Sequence, residues 1–481
     1  MNNNSIIKGT IWTSFSTIFI AIVQLLRLAI LARFLEKKDF GIVAIVTLIL
    51  GLTHTFCDLG FASAIMHKQK LNSKEFSSLY WIQFIVFTIM FIVIWGLSGP
   101  ISTIYKMPIL KILIPIAMLD LFFKAFGQLY ETLLLKNFQF KQIAYRNITS
   151  SFFSLLLAIY LAVKGFGVYS LIISTLFNTL LLNIWNLSLG YKIMPLYFTC
   201  SVKKVWGLVK IGLFQSGSQI LDYICSKLDI IILGKYIDTA NLGIYNLAKE
   251  LILKVIQVIN SIVNRVALPY LSKIQNDNNA LRRNYCKLLS IISIINIPIC
   301  SIIGCLSIPI VELLYGHSYS ELKPILALFS IWAIIVSLGN PVGNIIIAKG
   351  RTDISLKYTI VRISIYLPSI FIFAQYSLKI VVYGQILLAI IILFISWYMA
   401  LYKIICLKFT HFLKSFYTSA IFFVAIIYPI YYSIKINLLN IPSDLFQLIL
   451  YSIVIICISI FYLYQTKKKT IISLVESIKN K

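Results

Sequence analysis

From about residue 10 to about residue 464 the chain is one apolar run after another, each about the length of a bilayer-spanning helix and separated by short polar loops. Hydrocarbon cannot hydrogen-bond free amides, so such runs must be helical where they cross a membrane. Only 12% of the residues are charged and 59% are hydrophobic, which leaves too little polar surface to clothe a water-soluble globule of 481 residues. The expected class is therefore an all-α integral membrane protein.

Charged, Gly and Pro punctuation divides the runs into about fourteen expected spans. They lie at 10–31, 41–65, 79–98, 109–131, 148–163, 167–189, 208–233, 241–268, 288–310, 324–348, 357–375, 380–402, 415–434 and 445–464. Cytoplasmic loops should carry the excess of Lys and Arg. The loops after even-numbered spans do so, with Lys68, Lys70 and Lys74; Lys136, Lys141 and Arg146; Lys203, Lys204 and Lys210; Arg282, Arg283 and Lys287; Lys349 and Arg351; Lys403, Lys408 and Lys414; and the tail from Lys467. The opposite side offers mostly single lysines such as Lys164, Lys235, Lys379 and Lys435. Both termini are expected in the cytoplasm, and the net charge of +27 follows from this bias and from anionic lipid rather than from a nucleic-acid partner.

The first span maps onto the seventh at one constant offset. Lys8, Ile18, Leu31, Arg33 and Gly41 fall on Lys210, Ile220, Leu233, Lys235 and Gly243. Six spans separate the copies, so the repeat is parallel. Two six-helix lobes, 1–200 and 201–410, are expected, with residues 411–481 adding two further spans and a basic tail. A substrate path at the seam of such lobes is the arrangement that repeat-built transporters use.

Ionisable residues within spans need a partner, a wet cavity or a nearby interface. Asp120 with Lys124, and Glu250 with Lys254, stand at i,i+4 and can neutralise each other. Arg27, Lys227, Lys254, Arg265 and Arg362 are the candidate substrate-binding cations, because a cationic path suits an anionic, phosphate-bearing substrate. Arg362 sits where it can also snorkel to headgroups. Asp58, Asp222, Asp229 and Glu250 are the candidates to carry a coupling proton or sodium ion.

Four histidines, His54, His67, His317 and His411, are far apart, and eight cysteines form no CxxC pair, so neither a metal nor a disulfide is expected. The sequence holds no Gly-rich phosphate loop and no dinucleotide fingerprint, no catalytic residues are assigned, and no cofactor is expected beyond a coupling ion. No cleavable signal peptide is evident.

Several ordered segments then carry a resemblance: Leu31-Ala32-Arg33-Phe34-Leu35 with Asp39-Phe40-Gly41-Ile42, Asp58-Leu59-Gly60-Phe61, Asn137-Phe138-Gln139-Phe140-Lys141, Gly165-Phe166-Gly167-Val168-Tyr169, Asp229-Ile230-Ile231-Ile232-Leu233-Gly234-Lys235, Leu242-Gly243-Ile244-Tyr245 and Arg265-Val266-Ala267-Leu268-Pro269. In this order the chain resembles the Wzx-type polysaccharide flippases of the multidrug, oligosaccharidyl-lipid and polysaccharide exporter superfamily. The resemblance implies a bacterial inner-membrane protein that is not an enzyme, with twelve core helices plus two and a central cationic cavity. It implies a lipid-linked oligosaccharide as substrate and polymerase or assembly proteins as partners. The competing readings are a multidrug exporter of the same superfamily, a membrane glycan polymerase or glycosyltransferase, and a structural subunit. The outer loops offer no sizeable domain or carboxylate cluster for glycosyl chemistry.

Overall fold

The computed structural model describes residues 3–58, 60–67, 72–199 and 202–417, with scattered positions beyond and without every side chain in these ranges. Every regular element among the described residues is helical. The helices are α1 (Asn3–Leu31), α2 (Lys37–Cys57), α3 (Phe61–His67), α4 (Ser73–Ile104), α5 (Leu110–Lys136), α6 (Phe140–Val163), α7 (Val168–Tyr191), α8 (Val202–Tyr236) and α9 (Thr239–Lys273). They continue as α10 (Asn278–Cys305), α11 (Ser307–Tyr315), α12 (Leu322–Gly339), α13 (Val342–Ala348), α14 (Thr352–Phe373), α15 (Leu378–Ser396), α16 (Lys403–Ile405) and α17 (Phe409–Lys414). Among the described residues 10 helical segments are long and apolar enough to cross a membrane. Most of the expected spans 415–434 and 445–464, and the basic tail, lie outside the described residues.

Helix starts follow local chemistry. Glu36 with Asp39 opens α2 and Asn72 with Glu75 opens α4, each as a reciprocal capping box. Asp277 accepts from the amides of Asn279 and Ala280 at the head of α10. On α4 the side chains of Ile85, Ile89, Ile92 and Trp95 are exposed, an arrangement that only a hydrocarbon solvent makes favourable.

By packing, the chain divides into two compact units, Met1–Asn246 and Leu247–Lys481. In the first, α5 lies along α7 and α4, α1 along α6, and α8 along α2 and α3. Small residues set these approaches. A Cβ at Gly127 of α5 would meet the Asn183 carbonyl oxygen of α7 at 2.5 Å, and one at Gly190 of α7 would strike the Tyr130 ring. The two glycines that the repeat equates meet near the starts of α2 and α9. A Cβ at Gly41 would collide with the Thr239 carbonyl, and one at Gly243 with the Lys37 carbonyl.

In the second unit α12 packs between α10 and α15, and a core cluster that includes Tyr285, Leu289, Ile345, Leu401 and Phe412 joins α10, α13 and the segment around α16 and α17. Lys323 pairs with Glu312, and Lys249 lies 5.6 Å above the Trp332 ring.

Three elements depart from the expected spans. The continuous run 41–65 breaks, α2 ending at Cys57 and α3 starting at Phe61, with Gly60 at φ 61°. That conformation suits a residue without a Cβ. Span 324–348 breaks at Asn340–Pro341, between α12 and α13, because proline cannot donate the amide a continuous helix requires. Arg146, expected in a cytoplasmic loop, instead lies within α6 and is 1% exposed.

Candidate functional site

Three helices of the first unit turn polar stripes toward one another. On α5 the stripe is Asp120, Lys124, Gln128 and Glu131, at i, i+4, i+8 and i+11, which is one face of a 3.6-residue helix. On α7 it is Thr175, Thr179, Asn183 and Asn186, with the same spacing. At the end of α2, His54 and Asp58 are one turn apart, and the break before α3 leaves Asp58 as the helix cap. The Gly127 approach holds α5 and α7 close enough for their stripes to share a cavity. That cavity is about 500 Å³ and is lined by His54, Asp58, Lys124, Gln128, Glu131 and Asn183 among others, with Gln219 contributed by α8.

Its walls are cross-linked. His54 Nε2 stands 2.6 Å from Asp120 Oδ2, and Lys124 Nζ stands 2.9 Å from the same His54 nitrogen and 3.5 Å from the same Asp120 oxygen. Gln128 donates to Asp58 at 3.0 Å. Below them Arg146 donates to Glu131 at 3.2 Å, to Asn147 at 2.6 Å and to Asn186, so a buried guanidinium is satisfied by one carboxylate and two amides.

The His54 contact carries chemical information. Nε2 has a single hydrogen or a single lone pair, an ammonium only donates and a carboxylate only accepts. It cannot donate to Asp120 and accept from Lys124 at once. Which contact it serves depends on the tautomer: with its hydrogen on Nε2 the ring donates to Asp120, and with it on Nδ1 the ring accepts from Lys124. A sodium ion at Asp120 would have the Lys124 ammonium as its neighbour, which disfavours it.

Of the residues singled out from sequence, Asp58 lines this cavity. Arg27 points at α7, its Nη2 donating to the Leu171 carbonyl and Ser174 hydroxyl at 2.6 Å and to Thr175 at 2.9 Å, while its buried Nε has no hydrogen-bond partner among the described residues. Asp229 is buried and accepts from the Tyr245 hydroxyl at 2.5 Å. Asp222 is exposed and Lys227 half-buried, both on α8. In the second unit Glu250 and Lys254 form the expected one-turn pair at 3.8 Å, and Arg362 lies 5.9 Å over Tyr358. The Arg265 side chain lies outside the described residues. Sequence spacing missed His54, Gln128 and Arg146, although the i,i+4 continuation of Asp120 and Lys124 to Gln128 is a signal that finds the α5 stripe.

Comparison with known proteins adds the lineage. The chain is 27% identical over 405 residues to the lipopolysaccharide biosynthesis protein WzxC of Escherichia coli K12, covering 82% of this chain and 80% of that protein. It is 26% identical over 379 residues to the teichuronic acid biosynthesis protein TuaB of Bacillus subtilis 168, covering 77% of each. Its fold matches the inward closed conformation of the lipid II flippase MurJ with a TM-score of 0.73 at 19% identity, over 95% of this chain and 99% of that one. The polysaccharide biosynthesis protein family model matches residues 30–324, most of the helical chain just described, and the chain belongs to that family.

Proposed function

We propose that this protein is a flippase that carries a polyprenyl-pyrophosphate-linked oligosaccharide repeat unit from the inner to the outer leaflet of a bacterial cytoplasmic membrane by alternating access. The observation that carries the reading is a charged cavity of about 500 Å³ inside a lipid-facing helical bundle, in a family of polysaccharide biosynthesis proteins with the fold of a lipid II flippase. A transporter needs such internal polar surface, and in a protein that merely sits in lipid it is a cost without return. In this reading the chain is a transporter and not an enzyme, and both termini face the cytoplasm.

Arg265 and Arg362 receive the pyrophosphate, and Lys254 and Lys227 offer successive positive sites. Arg27, bonded to α7 through Nη2, contributes its charge from that fixed position. The coupling ion is a proton taken up at the His54, Asp120, Lys124 and Asp58 cluster, while Asp222, Asp229 and Glu250 act through local pairing. The domain scheme of two parallel lobes, 1–200 and 201–410, with residues 411–481 appended, belongs to the same proposal.

Reconstitution into liposomes containing a fluorescent polyprenyl-pyrophosphate oligosaccharide tests it, with transfer read by a membrane-impermeant quencher. Protein-dependent transfer that falls when Lys254→Ala or Arg265→Ala is introduced is the expected result. Elongation or cleavage of the glycan without transfer would replace this reading by the enzymatic one.

A further inference from the structure

A second cavity lies in the second unit. It measures about 510 Å³ and is formed where the start of α10 meets the segment from Leu407 through α17. Arg282, Arg283 and Lys287 line it from α10, and His411 and Lys414 from α17, with no carboxylate on the lining among the described residues. None of these five has an ion pair among the described residues. The nearest acid in sequence, Asp277, is occupied by the first amides of α10, at 2.8 Å from Asn279 and 3.0 Å from Ala280. Arg282 Nε is buried and has no hydrogen-bond partner among the described residues.

The walls are fixed. Ser290 donates to the Ser415 carbonyl at 2.7 Å, Ser415 donates to the His411 carbonyl at 2.8 Å, and Trp397 donates to the Leu407 carbonyl at 3.0 Å across the left-handed Cys406. Tyr285, Leu289 and Phe412 form the packed core behind. The positive-inside bias explains why cations occur at this end of the helices. It does not explain why they converge on one cavity without a counter-charge among the described residues, where mutual repulsion is a standing cost.

We infer that this cavity binds the phosphate of an anionic lipid headgroup in the leaflet it faces. Phosphate supplies the missing negative charge and accepts from both Arg forks and Lys ammoniums. The lipid source, rather than soluble phosphate, follows from the surroundings. Tyr398, Tyr402 and Tyr417, which flank the lining segment from Leu407 to Ser415 in sequence, and Leu413 within it are exposed, and Lys403 lies 5.1 Å above the Tyr398 ring. This is the aromatic and basic dressing of a membrane–water boundary, with apolar surface on hand for acyl chains.

Native mass spectrometry of the full chain in detergent, titrated with phosphatidylglycerol or with phosphatidylcholine of the same acyl chains, tests the inference. Phosphatidylglycerol should be retained preferentially, and its affinity should fall about fivefold for each charge removed by Arg282→Gln, Arg283→Gln or Lys287→Gln. Arg282→Lys should retain most of the binding and Lys164→Gln all of it, which separates charge from misfolding. Equal retention of the two lipids, or a triple variant that binds like the parent, would overturn the site. Inorganic phosphate in large excess should leave the lipid bound. If instead it displaces the lipid and binds with the same dependence on Arg282, the lipid source is overturned.

Discussion

Arg146 and Glu131 make the sharpest energetic test of the first unit, because burial is unequal across the pair. The Arg146 side chain is 1% exposed and that of Glu131 is 41% exposed to the cavity. Replacing Glu131→Leu strands a buried guanidinium. Removing one partner of a buried pair costs about 3–5 kcal/mol, and the lower end applies because Asn147 and Asn186 still accept from Arg146. Replacing Arg146→Met leaves a carboxylate that cavity water can reach, so the cost is the lost charge-assisted hydrogen bonding, about 2 kcal/mol. The double variant strands neither charge and should cost about 1–2 kcal/mol, well below the sum, for a coupling near 3 kcal/mol. The assay is unfolding by sodium dodecyl sulfate in mixed micelles, followed by far-UV circular dichroism, with all three variants compared at constant slope. If the double variant loses as much as the two single ones together, the pair is not coupled and the satisfied buried guanidinium is wrong.

Two further outcomes check the site. Gly127→Ala places a Cβ at 2.5 Å from the Asn183 carbonyl oxygen and 2.7 Å from its Cα, so α5 and α7 must part, and the same unfolding assay should show a loss of about 1–3 kcal/mol; an unchanged midpoint would mean the helices are not held at that distance. His54→Ala and Asp120→Asn should each abolish the response of liposomal transfer to an imposed proton gradient while substrate binding persists; variants that still respond would remove the cluster from the coupling step.

How far the sequence could be read depends on whether a signal is local. Apolar length and capping residues are local, and the spans expected to close at 31, 163 and 189 are α1, α6 and α7, ending at Leu31, Val163 and Tyr191. The break at Asp58–Gly60 is hidden because Phe61–Ile65 continues the apolar run, and only the helix-ending glycine betrays it. Arg146 was placed in a loop because a charge argues for water. Its counter-charge is on α5 and its amide acceptor Asn186 on α7, distant in sequence but adjacent once the helices pack. His54 looked solitary for the same reason. Periodicity within one helix reveals a stripe, whereas the meeting of three stripes is a property of packing and of the small residues, Gly127 among them, that permit it.

The stripes also explain why the cavity is suited to change state. The hydrogen-bonded cluster around it sets two carboxylates, Asp58 and Asp120, against one ammonium, Lys124, and one imidazole, His54. Glu131 and Arg146 already neutralise each other below. The cluster thus carries one net negative charge with a neutral imidazole and none once a proton is added. In a low-dielectric bundle an uncompensated charge is costly and a balanced set is less so, and under the proposed coupling one added proton would shift which packing of α2, α5 and α7 is favoured. An equilibrium between two packings responds to a ligand only through its differential affinity for them, and the proposed coupling requires that of a proton bound by groups on α2 and α5. The same logic requires that removing the imbalance should fix the state. Asp58→Asn, which leaves Asp120 and Lys124 balanced without His54 protonation, should make transfer independent of pH, whereas the parent should vary with it. A parent rate that is flat with pH would mean that the balance of charge in this cavity does not govern transport.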